Sequence, residues 1–294
     1  MKPPAFEYAA PESLDAALAL MAQRGGDAKP LAGGQSLVPA MNFRVAQPAL
    51  LVDLNGLPEL DYVREADDEL RIGAMTRQRR LERDPLIARL SPLLRETMPH
   101  VAHAQIRNRG TLGGSLAHAD PAAELPVVTL ALGARFRAQS VAGERWLPAE
   151  EFFQGMFSTA LAPEELLVEV ALPAMPPRSG WSFMEFARRH GDYALMGVAA
   201  LVTLNEQGQC QQAHLVYLNA GDGPVSARQA AKLLHGHTPS TEAIDAAAAL
   251  AAETEIEPVG NVHASAAYQR HLARVLTRRA LAQAVERVRQ TNDE

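Results

Sequence analysis

Leu14, Ala17, Leu18 and Met21 fall at i, i+3, i+4 and i+7, the spacing that gathers apolar side chains on one face of a helix. Ser13 just before them is a natural N-cap, and Gly25-Gly26 ends the run. Phe6–Tyr8, Lys29–Ala32 and Leu50–Leu54 read as short strands on either side of this helix. Strand, helix, strand, loop, strand is the order of a small, mostly parallel sheet. The stretch that follows mixes types. Leu60–Val63 and Glu69–Gly73 predict a strand pair turning at Asp67-Asp68, and helical patterns fill Arg77–His103. Leu125–Leu132 is apolar enough for a buried helix. Arg135–Ala138 and Glu144–Leu147 predict a second strand pair, and Glu165–Leu172 a further strand.

Pro173, Pro176 and Pro177 then punctuate the chain and mark a domain boundary. Beyond them Ser182–Arg188, Gly197–Leu204 and Gln211–Leu218 predict an antiparallel sheet. Ile244–Ala252 and Ala264–Arg289 predict helices packed on it.

Composition narrows the function classes. Of the 294 residues, 47% are hydrophobic and 21% charged, an ordinary globular balance, and the net charge of −6 gives no nucleic-acid footprint. A single cysteine, Cys210, can neither close an internal disulfide nor ligate an iron–sulfur cluster alone. The N-terminal MKPPAFEYAAPESLDAALALM is broken by Pro3, Pro4 and Pro11 and lacks the apolar core of an export signal. No stretch approaches the ~20 apolar residues of a membrane span. The expectation is a cytoplasmic protein without a membrane span.

Two glycine segments carry the candidate chemistry: Leu31-Ala32-Gly33-Gly34-Gln35-Ser36 and Arg109-Gly110-Thr111-Leu112-Gly113-Gly114-Ser115. Glycine lets a backbone turn tightly and lets a ligand approach its N–H donors, and successive N–H groups make a concave anion site. Ser36, Thr111 and Ser115 add hydroxyls. Neither segment matches the G-x-G-x-x-G fingerprint, so a Rossmann domain is not supported. Either segment alone is most simply a turn; together they could grip the two phosphates of a dinucleotide from opposite sides.

LAGGQSLVPAMNFRVAQPALLVDLN resembles the first FAD-binding segment of the medium, flavin-binding subunits of the carbon monoxide dehydrogenase and xanthine dehydrogenase (molybdenum hydroxylase) family. RNRGTLGGSLAHADPAAELP resembles their second segment, and RRHGDYALMGVAA a third signature near the start of their C-terminal domain. Order, spacing and length fit over essentially the whole chain. The resemblance implies an α+β fold. A two-lobed FAD-binding domain over 1–176, with a small α/β lobe (about 1–56) and a larger α+β lobe (57–176), precedes a C-terminal unit over 177–294 in which an antiparallel sheet carries a helical bundle.

By the same resemblance Ala32, Gly33, Gly34, Gln35 and Ser36 clasp the FAD pyrophosphate together with Thr111, Leu112, Gly113, Gly114 and Ser115. Lys29, Pro30 and Leu31 belong to the same binding strand. Val101, Ala102 and Leu167 line the cofactor, Glu124 bonds the polar part of the flavin, and Tyr193 lies beside the isoalloxazine. Pro39 and Pro48 frame a loop over the adenine. Gln35 and Ser115 replace side chains common in relatives but remain polar. Met184-Glu185 stands where relatives often have a lysine, so that contact does not transfer.

His100, His103 and His118, with Asp120 and Glu124 nearby, are not read as a metal site; His118 and Asp120 are expected to shape the loop by hydrogen bonding, and no catalytic acid–base pair is expected. The implied function is electron transfer. Electrons from a molybdenum–pterin centre on a large partner pass through 2Fe-2S clusters on a small partner to FAD here, and on to an external acceptor. Two rivals stand beside it. A self-sufficient flavin oxidase would need a substrate pocket with a positioned base. A non-catalytic nucleotide-binding or assembly module would purify without flavin.

Overall fold

Ser13 caps the first helix: its hydroxyl accepts a hydrogen bond from the Ala16 N–H at 3.2 Å, and helix α1 (Leu14–Arg24) buries Ala17, Leu18 and Met21. Gly25, at φ 50° and ψ −130°, takes a positive-φ conformation open to glycine and stops the helix. The computed structural model describes residues 2–291, so Met1 and residues 292–294, the outer ends of the two expected units, lie outside the described residues.

Strands β1 (Glu7–Ala9), β2 (Ala28–Leu31) and β3 (Leu50–Asp53) form a parallel sheet in the order β1-β3-β2, with α1 packed against it. Between β2 and β3 the expected loop contains a short helix, α2 (Leu37–Asn42). Pro39 does not prevent it, because it occupies the third helical position, where the missing N–H removes no intrahelical bond.

The second lobe is built on a five-stranded antiparallel sheet. Its first hairpin pairs β4 (Val63–Ala66) with β5 (Glu69–Gly73), turning through Asp67 and Asp68 at φ 53° and 57°. The expected strand at Leu60–Val63 therefore starts only at its last residue. Pro58–Leu60 is a 3-10 turn instead, because Leu57 and Leu60 are drawn into the core under the first sheet.

Short helices α3 (Gln78–Arg83), α4 (Pro85–Leu90), α5 (Pro92–Thr97) and α6 (Ala104–Arg107) follow. Asp84 caps α4 and a proline opens both α4 and α5. The second glycine segment is not a free loop: Thr111 caps helix α7 (Leu112–His118), which contains Gly113 and Gly114. Helix α8 (Glu124–Ala131) is buried nearly all round.

Strands β6 (Arg135–Ser140) and β7 (Gly143–Pro148) come next. A turn of helix α9 (Ala149–Phe152) leads into the small hairpin β8 (Phe153–Gly155) and β9 (Ser158–Thr159). Strand β10 (Leu166–Pro173) then completes the sheet in the order β4-β5-β10-β6-β7.

The C-terminal sheet contains β11 (Ser179–Ala187), β12 (Ala194–Leu204), β13 (Cys210–Leu218) and β14 (Val225–Ser226), all antiparallel. Every residue of β12 is buried. An antiparallel strand normally alternates, and a continuous apolar run means cover on both faces. Here Phe183, Ala199, Val216 and Leu218 join the core of the second lobe. Met196, Val198, Ala200 and Tyr217 join that of helices α10 (Arg228–Leu234), α11 (Thr241–Leu250) and α12 (Ala266–Thr291). Glu96 on α5 ties the parts together: it accepts hydrogen bonds from the Phe183 N–H at 3.0 Å and from Arg287 of α12 at 2.5 Å.

The packing of α12 on β11 requires a glycine. A Cβ at Gly180 would overlap the Ala284 carbonyl oxygen and lie 2.8 Å from the Val288 side chain. Gly180→Ala is expected to destabilise the fold by about 2–3 kcal/mol through overpacking, read as a lower midpoint in denaturant unfolding.

Candidate functional site

The two glycine segments meet backbone to backbone. A Cβ at Gly33 would overlap the Arg109 carbonyl oxygen and lie 2.7 Å from the Gly110 Cα; one at Gly114 would lie 2.7 Å from Thr111 Oγ1 and 3.3 Å from the Ala32 Cβ. Gly113 is pressed equally close to Ala74, whose Cβ would be 2.6 Å away. At these three positions glycine serves close approach rather than an unusual dihedral; only Gly34, at φ 72°, sits in the left-handed region.

The segments differ in what they offer. In the second the N–H groups are committed: Leu112 donates to Thr76 O, Gly113 to Ala74 O, Gly114 to Thr111 Oγ1 and Ser115 to Thr111 O. In the first, the N–H groups of Gly33, Gly34, Gln35 and Ser36 have no acceptor among the described residues. Four successive N–H donors around a left-handed glycine are the kind of backbone that can cradle an anion. The second segment contributes a smooth backbone wall and the Ser115 hydroxyl. Gln35 folds back to donate to Gly33 O at 3.0 Å. Lys29, Pro30 and Leu31 lie in β2, which delivers the first segment to this place.

A polar clamp holds the segments in register. Asn55, just past β3, donates to Ala32 O at 3.0 Å and accepts from Arg77 at 2.5 Å, while Arg77 also donates to the Arg109 carbonyl. Asp53 anchors Asn55 and accepts from the Tyr8 hydroxyl at 2.5 Å. Neither Asn55 nor Arg77 belongs to a motif legible in the sequence. Their only local signal is position at the end of a strand and the start of a helix, which many polar residues share.

Beyond the C-terminal end of α7 lies a second group. Val101 and Ala102 are fixed by the buried Arg107, which donates to their carbonyls at 2.9 and 3.1 Å. Ala102 is left-handed at φ 45°. The His103 ring packs on Gly191, which brings this corner beside the loop carrying Tyr193. Tyr193 is 71% exposed, yet its phenol is pushed up by burial of its hydroxyl end and by Asp120 and Glu124.

Glu124 opens α8 and is only 8% exposed; burial, and then the charge of Glu185, lift its carboxyl to about 7. Glu185 in turn lies 3.4 Å from His100, whose imidazole it holds above the ordinary range. Leu167 is on β10, under α7, and is 6% exposed. The structure thus gathers residues 32–36 with 109–115. It brings Ala102, Glu124 and Tyr193 into a separate neighbourhood and leaves Val101 and Leu167 within the core.

Comparison with known proteins gives these features a setting. Residues 4–175 match the family described as the FAD binding domain in molybdopterin dehydrogenase, and residues 181–284 the CO dehydrogenase flavoprotein C-terminal domain. The chain is 48% identical over 293 residues to the 6-hydroxypseudooxynicotine dehydrogenase complex subunit alpha of Paenarthrobacter nicotinovorans, covering 100% of this chain and 99% of that one. It is 39% identical to the caffeine dehydrogenase subunit beta of a Pseudomonas species, covering 98% and 97%. It superposes on a solved structure of carbon monoxide dehydrogenase from Hydrogenophaga pseudoflava with a TM-score of 0.94 at 38% identity, covering 98% and 99%.

Glu124 makes stability depend on pH with a definite sign. The unfolded carboxyl loses its proton near the ordinary 4.5, whereas the folded one keeps it to about 7. Between these values the folded state binds more protons, so this residue's contribution falls as pH rises through the window. Glu124→Gln removes that titration. Thermal melts across the window are expected to show a smaller loss of Tm for the variant; parallel curves would rule the assignment out.

Proposed function

This chain belongs to the FAD-binding flavoprotein subunits of the molybdopterin dehydrogenases, the molybdenum hydroxylase family, and we propose that within such an oxidoreductase complex it is the exit point for electrons. In this reading a small partner subunit delivers electrons from 2Fe-2S clusters, a large partner with a molybdenum–pterin centre oxidises the substrate, and an external acceptor collects the electrons from FAD bound here. The buried Cys210 supports the division of labour, since one cysteine cannot hold a cluster. Among the described residues no helix is long and apolar enough to cross a membrane. We place the complex in the cytoplasm and divide the chain at 176/177 into an FAD-binding domain and a C-terminal domain.

The observation that carries the reading is the run of four N–H groups at Gly33–Ser36, without an acceptor among the described residues, beside the bare backbone of the second glycine segment. That arrangement fits a pyrophosphate. Two adjacent phosphates need several donors, and they would lie along the rim of the seam, where the glycines present no Cβ atoms. In our assignment Gly33, Gly34, Gln35 and Ser36 donate to the phosphates, with Ser115 adding its hydroxyl and Thr111, Gly113 and Gly114 forming the wall. Lys29, Pro30, Leu31 and Ala32 shape the approach along β2.

FAD, when bound, supplies the capacity to accept and release electrons; the protein orients it and sets its surroundings. Ala102 would border the flavin on its apolar side, with Val101 and Leu167 in the core behind it. Glu124 meets the polar edge of the flavin, and the exposed Tyr193 ring covers it at the surface, where an electron donor or acceptor can approach.

The absorbance spectrum of the purified chain, with cofactor release from the same sample, is expected to show about one FAD per chain and no turnover by the chain alone. In folded protein, Gly33→Ala and Gly114→Val should each weaken FAD binding by at least about tenfold, ~1.4 kcal/mol, because each drives a side chain into the seam. Normal FAD stoichiometry in both folded variants would remove the pyrophosphate assignment. Steady oxidation of a substrate by the isolated chain would favour a self-sufficient oxidase.

A further inference from the structure

The chain carries a net charge of −6, yet the side of the seam along which α3 runs is crowded with arginine. An open groove there is lined by Arg77, Arg79, Arg80, Arg83, Asp84 and Asn108. It reaches the seam through Arg77, which donates to the Arg109 carbonyl, the same oxygen that leaves no room for a Cβ at Gly33. From Arg77, just before α3, to Arg83 at its end the helix rises about 9 Å. That is within one Debye length at 0.1 M ionic strength, about 10 Å, so charge anywhere along the groove is felt at the seam.

The neighbouring carboxylates do not cancel this charge. Glu82 is shared between Arg79 at 3.6 Å and the buried Arg107 at 3.1 Å. Arg80 lies between Asp61 and Asp84, at 3.0 and 3.4 Å. Arg77 is bonded to the neutral Asn55 amide and a carbonyl, and Arg83 and Arg109 form no ion pair among the described residues. Asp53, already held by Tyr8 and Asn55, is the further carboxylate that feels Arg109. Arginines 77, 79, 80, 83, 107 and 109 thus face only Asp53, Asp61, Glu82 and Asp84, which leaves local positive charge on a negative molecule.

An excess of this kind acts on ligands of opposite charge before contact. It raises the rate at which they arrive and leaves the final contacts to other groups. The pyrophosphate of FAD is a dianion, and the N–H groups at Gly33–Ser36 carry no net charge. A dianion approaching the molecule at large is repelled; at the groove the sign reverses. Arg77 is committed to the clamp and Arg80 to its two aspartates, so Arg79 and Arg83 supply the attraction that is least spent.

We propose that Arg79 and Arg83 steer the FAD pyrophosphate to the seam by charge, without contacting it in the bound state. The proposal rests on the FAD reading for the identity of the anion. Attraction at a distance appears in the association rate and weakens with salt, whereas dissociation is set by the contacts at Gly33–Ser36.

Stopped-flow flavin fluorescence, recorded as FAD binds the full-length FAD-free chain, tests this between about 0.01 and 0.15 M salt, where the Debye length shortens from roughly 30 to 8 Å. Association with the parent chain should slow several-fold over that range. Arg79→Gln combined with Arg83→Gln should lower the low-salt association rate at least about threefold, flatten its salt dependence and leave dissociation unchanged. Arg79→Lys combined with Arg83→Lys keeps the charge and should bind at the parent rate. A glutamine double variant that binds at the parent rate, or whose loss lies in dissociation, would overturn steering, as would a parent rate independent of salt. Unchanged FAD kinetics with weaker assembly onto the partner subunits would also overturn it and assign the groove to an acidic protein face. If the folded parent binds no FAD at any salt concentration, the functional reading itself fails and steering falls with it; binding at a salt-independent rate removes steering alone.

Discussion

The contact between Gly33 and the backbone at Arg109–Gly110 is the constraint on which the site depends. It joins two segments far apart in sequence, one on the parallel sheet of the first lobe and one at the head of a helix in the second. No side chain fits between them, so the seam closes only where the backbone is bare. Closing it leaves the N–H groups of Gly33–Ser36 side by side and unspent while the other segment's donors are consumed. The asymmetry has a physical origin. The second segment must pin a helix to Ala74, Thr76 and Thr111, whereas the first ends a strand and has no ladder left to join.

The rest of the molecule holds that seam still. Asn55 and Arg77 are individually exposed or partly exposed residues, and single hydrogen bonds of this kind contribute only about 1 kcal/mol each. Their value lies in geometry, since they connect the Ala32 carbonyl to the Arg109 carbonyl through two side chains. Farther out, the C-terminal sheet is sandwiched between the second lobe and the helices, and Glu96 bridges β11 and α12. The loop bearing Tyr193 joins two strands of that sheet, so the position of Tyr193 is set by the packing of β11 and β12.

Much of the fold was legible in the periodicity of the chain. The α1 face, the three parallel strands, the hairpin at Asp67-Asp68, the buried α8 and the long last helix all follow from apolar spacing and turn residues. The departures occur where tertiary burial outweighed local pattern. Leu60 looked like the start of a strand, but it is a core residue of a 3-10 turn. The second glycine segment looked like a loop, but Gly113 and Gly114 lie in a helix that Thr111 caps, where Ala74 leaves no room for a Cβ at the first and Thr111 none at the second. The clamp residues Asn55 and Arg77 were not visible, since nothing local distinguishes them from ordinary polar positions.

By itself the sequence determined which segments are bare of side chains, which runs are apolar, and that one cysteine cannot carry cluster chemistry. Its motif order also identified the family that the whole-chain comparisons show. Only the tertiary structure decided that the two glycine segments touch, which of them keeps its N–H donors, and that Glu185 is buried with one oxygen unpaired. The reason is that local pattern reports what a residue prefers among its chain neighbours. Hydrogen-bond satisfaction and desolvation depend instead on groups distant in sequence, and these are defined only once the lobes have closed on one another.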